Sequence, residues 1–384
     1  MSTSEPVQIG TQPLTRDANA APERAVRERY SKAATQLQPE LCCPVNYDPA
    51  YLQAIPAEVL QRDYGCGDPS RYLRAGEAVL DLGSGGGKIC FIAAQIVGEG
   101  GSVLGVDMND EMLALARTSV PQVAEKIGYV NVAFHKAKIQ DLALDRDAVD
   151  AHLRANPLRS ESDLQAFEAY CDSLRDEQPL VPDASVDVVV SNCVLNLVDP
   201  RDKQTMFAEL FRVLKPGGRA VISDIVSNQT VPLALHRDAK LWSGCISGAY
   251  EETAFLDAFS AAGFRNLEIA ELQLEPWQVV EEIEFRSMTV IAYKPASEED
   301  ATAEQDNDQQ EIIYRGPFAA VMDDAGQEFI RGQRASISPQ QSAQLAGSPL
   351  QQCFIRMHPS DSQAAGHEPT GPQTTAGNCG PGCC

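Results

Sequence analysis

Ala78-Val79-Leu80-Asp81-Leu82 reads as a short buried strand, and it runs straight into Gly83-Ser84-Gly85-Gly86-Gly87 and a helix-compatible stretch ending at Val97. A strand that becomes a helix through a glycine-rich turn admits few architectures. Glycine is needed there because a Cβ would collide with a ligand approaching the backbone, and because the turn takes φ values that other residues resist. Ser102 to Asp107 follows as a second strand, so the unit is strand, helix, strand, and the sheet is parallel. The alternation continues with a helix at 110–127, strands at 131–135 and 186–192, a helix at 203–214, a strand at 219–224 and a terminal strand pair at 266–274 and 287–293. The fold class is α/β.

Other stretches depart from this rhythm. Residues 1–24 are polar and lack an apolar period, so disorder is expected there, with order beginning near Ala25. Residues 145–183 are acidic but carry Leu164, Phe167, Tyr170, Cys171 and Leu174 at helical spacing, the pattern of a helical insertion within a catalytic unit spanning 25–295. An acidic linker is expected at 296–311. Residues 312–358 have short apolar runs broken by Gly316-Pro317, Asp323-Asp324-Ala325-Gly326 and Gly332, which predicts a small β meander, and 359–384 read as a disordered, cysteine-containing tail.

Lys+Arg number 31 against 54 Asp+Glu, a net charge of −23, and no basic run occurs, so neither nucleic acid nor an anionic membrane is an expected partner. No apolar stretch approaches the roughly 20 residues of a membrane span, and the MSTSEPVQIG start lacks a signal-peptide pattern, so a cytoplasmic location is expected. Eleven cysteines are too many for a chain whose thiols stay reduced. They point to metal, metalloid or redox chemistry before structural cross-linking.

The motif Asp81-x-Gly83-x-Gly85-x-Gly87 opens on an acid, and a second acid, Asp107, closes the next strand, where a ribose diol would be hydrogen-bonded. With Gln140-Asp141 after the third strand and Lys215-Pro216-Gly217-Gly218 before the fifth, the set resembles the class I S-adenosylmethionine-dependent methyltransferases. That resemblance implies a Rossmann-like seven-stranded sheet with a reversed final hairpin, and S-adenosyl-L-methionine as cofactor. It also implies that Asp81, Gly83, Gly85 and Gly87 form the turn against the cofactor, and that Asp107 binds the ribose hydroxyls. Met108 would flank the adenine, Ile139 and Gln140 would hold its edge, and Asn192 would close the methionine side.

Cys42-Cys43, Cys66 in Tyr64-Gly65-Cys66-Gly67, Cys193 in Ser191-Asn192-Cys193-Val194-Leu195-Asn196-Leu197 and Cys245 in Cys245-Ile246-Ser247-Gly248-Ala249 lie outside ordinary core patterns. Cys193 falls at the carboxyl end of the fourth strand, where open α/β sheets bind ligands, and Cys245 follows the fifth strand over the same crevice. Cys90, Cys171 and Cys353 read as core packing. Over about Arg24 to Pro295 these segments resemble the arsenite S-adenosylmethionine methyltransferases. The resemblance implies Cys193 and Cys245 as direct ligands of trivalent arsenic, a soft centre suited to thiolates. It implies further that Cys66 and one of Cys42 or Cys43 supply a third thiolate or a disulfide that returns the oxidised product to the trivalent state; Cys43 is favoured because it adjoins the Pro44 turn. Arsenite or its glutathione conjugate is the implied substrate, thioredoxin or glutathione the implied reductant, and detoxification or arsenosugar formation the setting. Cys379, Cys383 and Cys384 in the glycine- and proline-rich tail form a candidate arm for delivering trivalent arsenic. Two other readings compete: a methyltransferase of the same fold acting on a lipid, quinone or other small acceptor, and a thiol-based protein that binds arsenic or metal without reaction.

Overall fold

The computed structural model describes residues 16–36, 45–297, 310–323, 325–346, 348 and 350–357. Residues 1–15, Cys42, Cys43, most of the acidic linker, and the tail with Cys379, Cys383 and Cys384 lie outside the described residues.

In chain order the elements are α1 (Arg16–Ala33), α2 (Pro49–Leu52), α3 (Ala57–Gln61), β1 (Ala78–Leu82), α4 (Lys88–Val97), β2 (Ser102–Asp107), α5 (Asp110–Ile127), β3 (Val132–Lys136), α6 (Arg146–Ala155), α7 (Glu161–Glu177) and β4 (Val186–Asn192). There follow α8 (Lys203–Val213), β5 (Leu214–Ser227), α9 (Ala239–Ser243), β6 (Tyr250–Glu251), α10 (Glu252–Ala261), β7 (Arg265–Leu272), β8 (Gln278–Val280) and β9 (Ile283–Tyr293). The sheet order is β3-β2-β1-β4-β5-β9-β7, with β6 beside β5 and β8 beside β9. Strands β3, β2, β1, β4 and β5 are mutually parallel, and β9 is antiparallel to both β5 and β7. This is the class I methyltransferase sheet with its reversed terminal pair. Because the order doubles back at β1, a crevice opens at the carboxyl ends of β1, β2 and β4.

Both faces of the sheet are covered, so its strands are apolar on both sides. Leu80, Leu82, Val189 and Ile222 pack toward α8 and α10, while Val79, Val188, Val190 and Val221 pack toward α4 and α5. The insertion forms two helices, α6 and α7, which share a small cluster of Leu144, Val149 and Cys171.

Three expectations change. The first helix is longer than the stretch from Ala25 suggests, because α1 starts at Arg16; its later part is anchored by Ala33, Ala34 and Tyr30 against Tyr64 and Met112, contacts that local sequence could not show. Lys215 to Gly218 belong to β5 rather than to a turn before it, with the irregularity absorbed by a register shift opposite Val186 and Val188. The C-terminal module is not a meander. Its first strand, β10 (Gln310–Tyr314), is central between β13 (Arg334–Ile337) and β14 (Phe354–Met357), while β11 (Ala320–Met322) and β12 (Glu328–Ile330) form a separate pair. A helix, α11 (Pro339–Ala346), lies between β13 and β14. One face of β10 and β14 presents Ile313 and Ile355 to the main core beside Phe255 and Phe259, and the other builds a second core from Ile312, Tyr314, Phe329 and Ile337.

Candidate active site

A cavity of about 530 Å³ occupies the crevice, a volume within the roughly 300–1,000 Å³ of small-molecule sites. Asp81, Gly83, Gly85, Asp107, Met108, Ile139, Gln140 and Asn192 all line it. Gly87 does not. It caps α4 at φ +92°, and a Cβ there would lie 2.7 Å from the Phe134 ring, so this glycine serves close packing of the helix on β3 rather than ligand contact. The Asp107 carboxylate accepts hydrogen bonds from the amides of Gly85 and Asn109, each at 2.8 Å, and burial raises its pKa. Asp81 accepts from the Cys90 thiol at 3.1 Å, and burial pushes it up to about 7. The cradle has spare capacity for a ligand: Ser84 Oγ is buried with no hydrogen-bond partner, and nothing lies within 4 Å of where a Cβ of Gly85 would stand. An acidic ribose clamp, a glycine cradle with an unused hydroxyl and an apolar wall from Met108 and Ile139 suit a nucleoside carrying a polar end. Helix α1 closes the mouth with Arg24, Val26, Arg27 and Tyr30, a contribution the sequence alone did not reveal.

Three thiols meet at the Cys193 end of this cavity. Sγ of Cys66, Sγ of Cys193 and a carboxylate oxygen of Asp224 lie within 4.8 Å of one another. Cys193 hydrogen-bonds through its side chain to both Cys66 and Cys245, and Cys245 Sγ donates to the Cys193 carbonyl at 3.0 Å. All three residues are buried, at 5 %, 7 % and 3 % exposure for Cys66, Cys193 and Cys245. Cys193 and Cys245 both adopt left-handed backbone, at φ +64° and +61°. Such conformations cost a non-glycine residue on the order of 1–3 kcal/mol and persist where the surroundings over-determine them.

Those surroundings can be named. Asn192 Oδ1 accepts from the amides of Cys66 and Gly67 at 2.8 and 3.1 Å, and its Nδ2 donates to the Gly67 carbonyl at 2.7 Å. Asn192 therefore straps the Cys66 loop to the end of β4 as well as lining the cavity. A Cβ on Gly65 would stand 2.1 Å from Asn192 Nδ2 and one on Gly67 2.6 Å from Ser223 Oγ, which is why cysteine is flanked by glycine on both sides. Asp224, fully buried within β5, accepts from the amides of Leu195 and Ile225 and from Asn196 Nδ2, each at 2.8 Å. Asn196 Nδ2 also reaches the carbonyls of Ile225 and Cys245, and Lys203 Nζ donates to the Gly248 carbonyl at 2.6 Å while lying 4.0 Å from the Tyr250 ring centre. Burial raises the Asp224 carboxyl to about 6 and lowers Lys203 to about 8. Asp224, Asn196, Lys203 and Tyr30 were not anticipated from sequence; the Leu195-Asn196-Leu197 segment was quoted, but only topology pairs it with β5.

The thiol environment favours the protonated form. Hydrogen bonding to Cys245 and Cys66, reinforced by burial, holds the Cys193 pKa well above the ordinary thiol value, and burial raises that of Cys66. Cys66 and Cys193 are thus held as thiols, not the thiolates expected from soft-metal chemistry. In the unfolded chain the same groups lose their protons first, so the stability they contribute is present below the ordinary thiol pKa and lost as pH rises. Thermal midpoints should fall from about pH 8.5 upward, and less steeply in Cys193→Ser; equal slopes in both proteins would refute this.

Comparison with known proteins locates the chain among relatives. A "Methyltransferase domain" model matches residues 73–176 and 159–263. The arsenite methyltransferase of Aquipseudomonas alcaligenes is 32 % identical over 305 residues, covering 76 % of this chain and 77 % of the relative. The chain belongs to the arsenite methyltransferase family. The mouse family member is 34 % identical, covering 57 % of this chain and 50 % of its own length, so the chain spans about half of that relative. Among solved structures, an arsenic (III) S-adenosylmethionine methyltransferase from Chlamydomonas reinhardtii is 25 % identical with a TM-score of 0.51, covering 82 % of this chain and 97 % of that one. A domain of unknown function (DUF8838) matches residues 301–379, which include the C-terminal module.

Among the described residues the three other cysteines lie in packed surroundings. Cys90 is fully buried under β1 and Cys171 lies in the insertion cluster, while Cys353 is half-buried in the module core. No helix among the described residues is long and apolar enough to cross a membrane.

Proposed function

We propose that this chain methylates trivalent arsenic, with S-adenosyl-L-methionine as donor and Cys66, Cys193 and Cys245 as arsenic ligands. The observation that carries the reading is the convergence of these three thiols, from three distant chain segments, at one end of a nucleoside-shaped cavity. Arsenite enters as a neutral hydroxide: for each arsenic–sulfur bond formed an arsenic–oxygen bond breaks, and the thiol proton leaves with the hydroxide as water. Cys66 and Cys193 held as thiols are therefore in a suitable resting form, and no external base is consumed. S-adenosyl-L-methionine, when bound, would supply a methyl group on a positively charged sulfur, open to attack by the lone pair of thiol-bound arsenic with the sulfur leaving as a neutral thioether.

The residues then have separable tasks. Gly83, Gly85, Asp107, Met108, Ile139 and Gln140 hold the cofactor, with Asp81 behind the turn. Asn192 belongs to both halves, facing the cavity while fixing the Cys66 loop. Asp224, Asn196 and Lys203 set the backbone of the two strained ligand segments, so that arsenic is presented in line rather than free to diffuse. Tyr30, whose side chain hydrogen-bonds to Cys245, covers the thiols and excludes water. After transfer, arsenic is pentavalent; the thiols of Cys66 and Cys43 would supply the two electrons that return it to the trivalent state by joining in a disulfide, with loss of their two protons, and thioredoxin or glutathione would then reduce that disulfide. The arm of Cys379, Cys383 and Cys384 retains its proposed role in delivery.

Incubation with arsenite, S-adenosyl-L-methionine and glutathione, followed by chromatographic speciation of arsenic, tests the proposal. Methylated arsenic is the expected product. Binding of arsenite without methylated product would leave only sequestration, and methylation of a quinone instead would move the chain to another acceptor.

A further inference from the structure

Glu252, the first residue of α10, has no exposed side-chain surface, and burial raises its pKa. An unpaired carboxylate cannot be kept ionised in such a place at tolerable cost. The catalytic unit supplies one partner, Arg286 on β9, whose Nε lies 3.5 Å from Glu252 Oε1 without making a hydrogen bond. Arg286 is already shared: it is ion-paired with Glu284 and donates to the Leu274 carbonyl at 3.1 Å. Two carboxylates against one guanidinium leave the catalytic unit a negative charge in excess. The balance comes from outside it, where Arg315, directly after β10 of the C-terminal module, donates to Glu252 Oε2 at 2.6 Å.

Glu252 also stands directly after the Cys245 segment. It follows β6, whose Tyr250 and Glu251 pair with Val226 and Ser227 of β5, and β6 in turn closes the run from Cys245 to Ala249. The module docks against the same helix through Ile313 and Ile355, which join the core of Phe255 and Phe259. Resting on the reading of Cys245 as an arsenic ligand, we propose that the C-terminal module is a brace for the acceptor site: Arg315 neutralises Glu252, fixes the start of α10, and so holds the Cys245 segment in its left-handed, ligand-ready form. Arg315 is a positioning residue and touches neither cofactor nor arsenic.

The test uses the full chain carrying Arg315→Gln, Arg315→Lys, and Arg315→Gln combined with Glu252→Gln. Three readouts separate a brace from general loosening: the iodoacetamide labelling rate of Cys245, Cys90 and Cys171 resolved by peptide mass spectrometry, arsenite affinity from the arsenic–sulfur absorbance, and S-adenosyl-L-methionine affinity by calorimetry. Arg315→Gln should speed labelling of Cys245 and weaken arsenite binding, each by about tenfold, with Cys90, Cys171 and cofactor affinity unchanged. Arg315→Lys should restore most of the loss, and Glu252→Gln should rescue Arg315→Gln because it removes the charge that needed balancing. Unchanged Cys245 labelling, or acceleration of all three cysteines together, overturns the brace. Selective acceleration at Cys245 in a protein whose parent binds no arsenite would uphold the brace and sink the acceptor assignment instead.

Discussion

Replacing Cys193 by serine should reduce arsenic methylation by more than about a hundredfold, since even changes one shell away from a bound ion cost 10–100-fold, while leaving cofactor affinity within about twofold. Cys193 is the central member of the thiol cluster, hydrogen-bonded to both other cysteines. Serine keeps the size and the left-handed backbone requirement but offers a hard alcohol to a soft acceptor. Cys245→Ser should behave in the same way, and Cys171→Ala, in the insertion cluster away from the cavity, should leave turnover near that of the parent. Arsenic speciation and calorimetric titration of the cofactor read the two halves independently. Retained turnover in Cys193→Ser would remove arsenic–thiol coordination from the mechanism.

The second large effect comes from a glycine. A Cβ on Gly248 would stand 2.0 Å from the Asn196 carbonyl oxygen, a backbone atom on the turn that carries Cys193. The Cβ is fixed in direction by its own backbone and its neighbour is main chain, so neither can rotate away. Gly248→Ala must push the Cys245 segment off the Cys193 turn, breaking the reach of Asn196 Nδ2 to the Cys245 carbonyl and of Lys203 to the Gly248 carbonyl. Overpacking of this kind costs about 1–3 kcal/mol of stability. Arsenite affinity should fall with it, since the three sulfurs no longer meet, whereas the cofactor cavity, which Gly248 does not line, should bind as before. A thermal midpoint and an arsenite titration both matching the parent would show that the two loops can separate freely.

These two substitutions mark how far the sequence could be read. The parallel sheet and its glycine turn were legible because hydrophobic alternation and Asp81 to Gly87 are local signals, whereas the reversed terminal pair came only with the family resemblance. Cys66, Cys193 and Cys245 were legible because their flanking residues form recognisable short motifs. What supports them was not. Asp224 looked like the ordinary end of a strand, and its role depends on Leu195 and Asn196, which lie in another segment. Asn192 was read as a cofactor contact, yet most of its hydrogen bonds go to the Cys66 loop. Gly87 was grouped with the cofactor turn by spacing alone, although Phe134 is what demands it. Arg315 carried no signal at all, because nothing in a chain of letters announces that a buried Glu252 lies one positive charge short.

The left-handed backbone of Cys193 and Cys245 bears on how freely this chain can vary. A domain holds only about 5–15 kcal/mol in reserve against unfolding, and two side chains kept where glycine would rest more easily draw on that margin continuously. Glycine at either position would relax the backbone and discard a ligand, so stability and acceptor chemistry pull these two sites in opposite directions. Mutational tolerance elsewhere is narrowed accordingly: a substitution harmless in an unstrained relative of the same fold has less room here, and compensating changes should accumulate around Asp224, Asn196 and Glu252, where the strain is held in place.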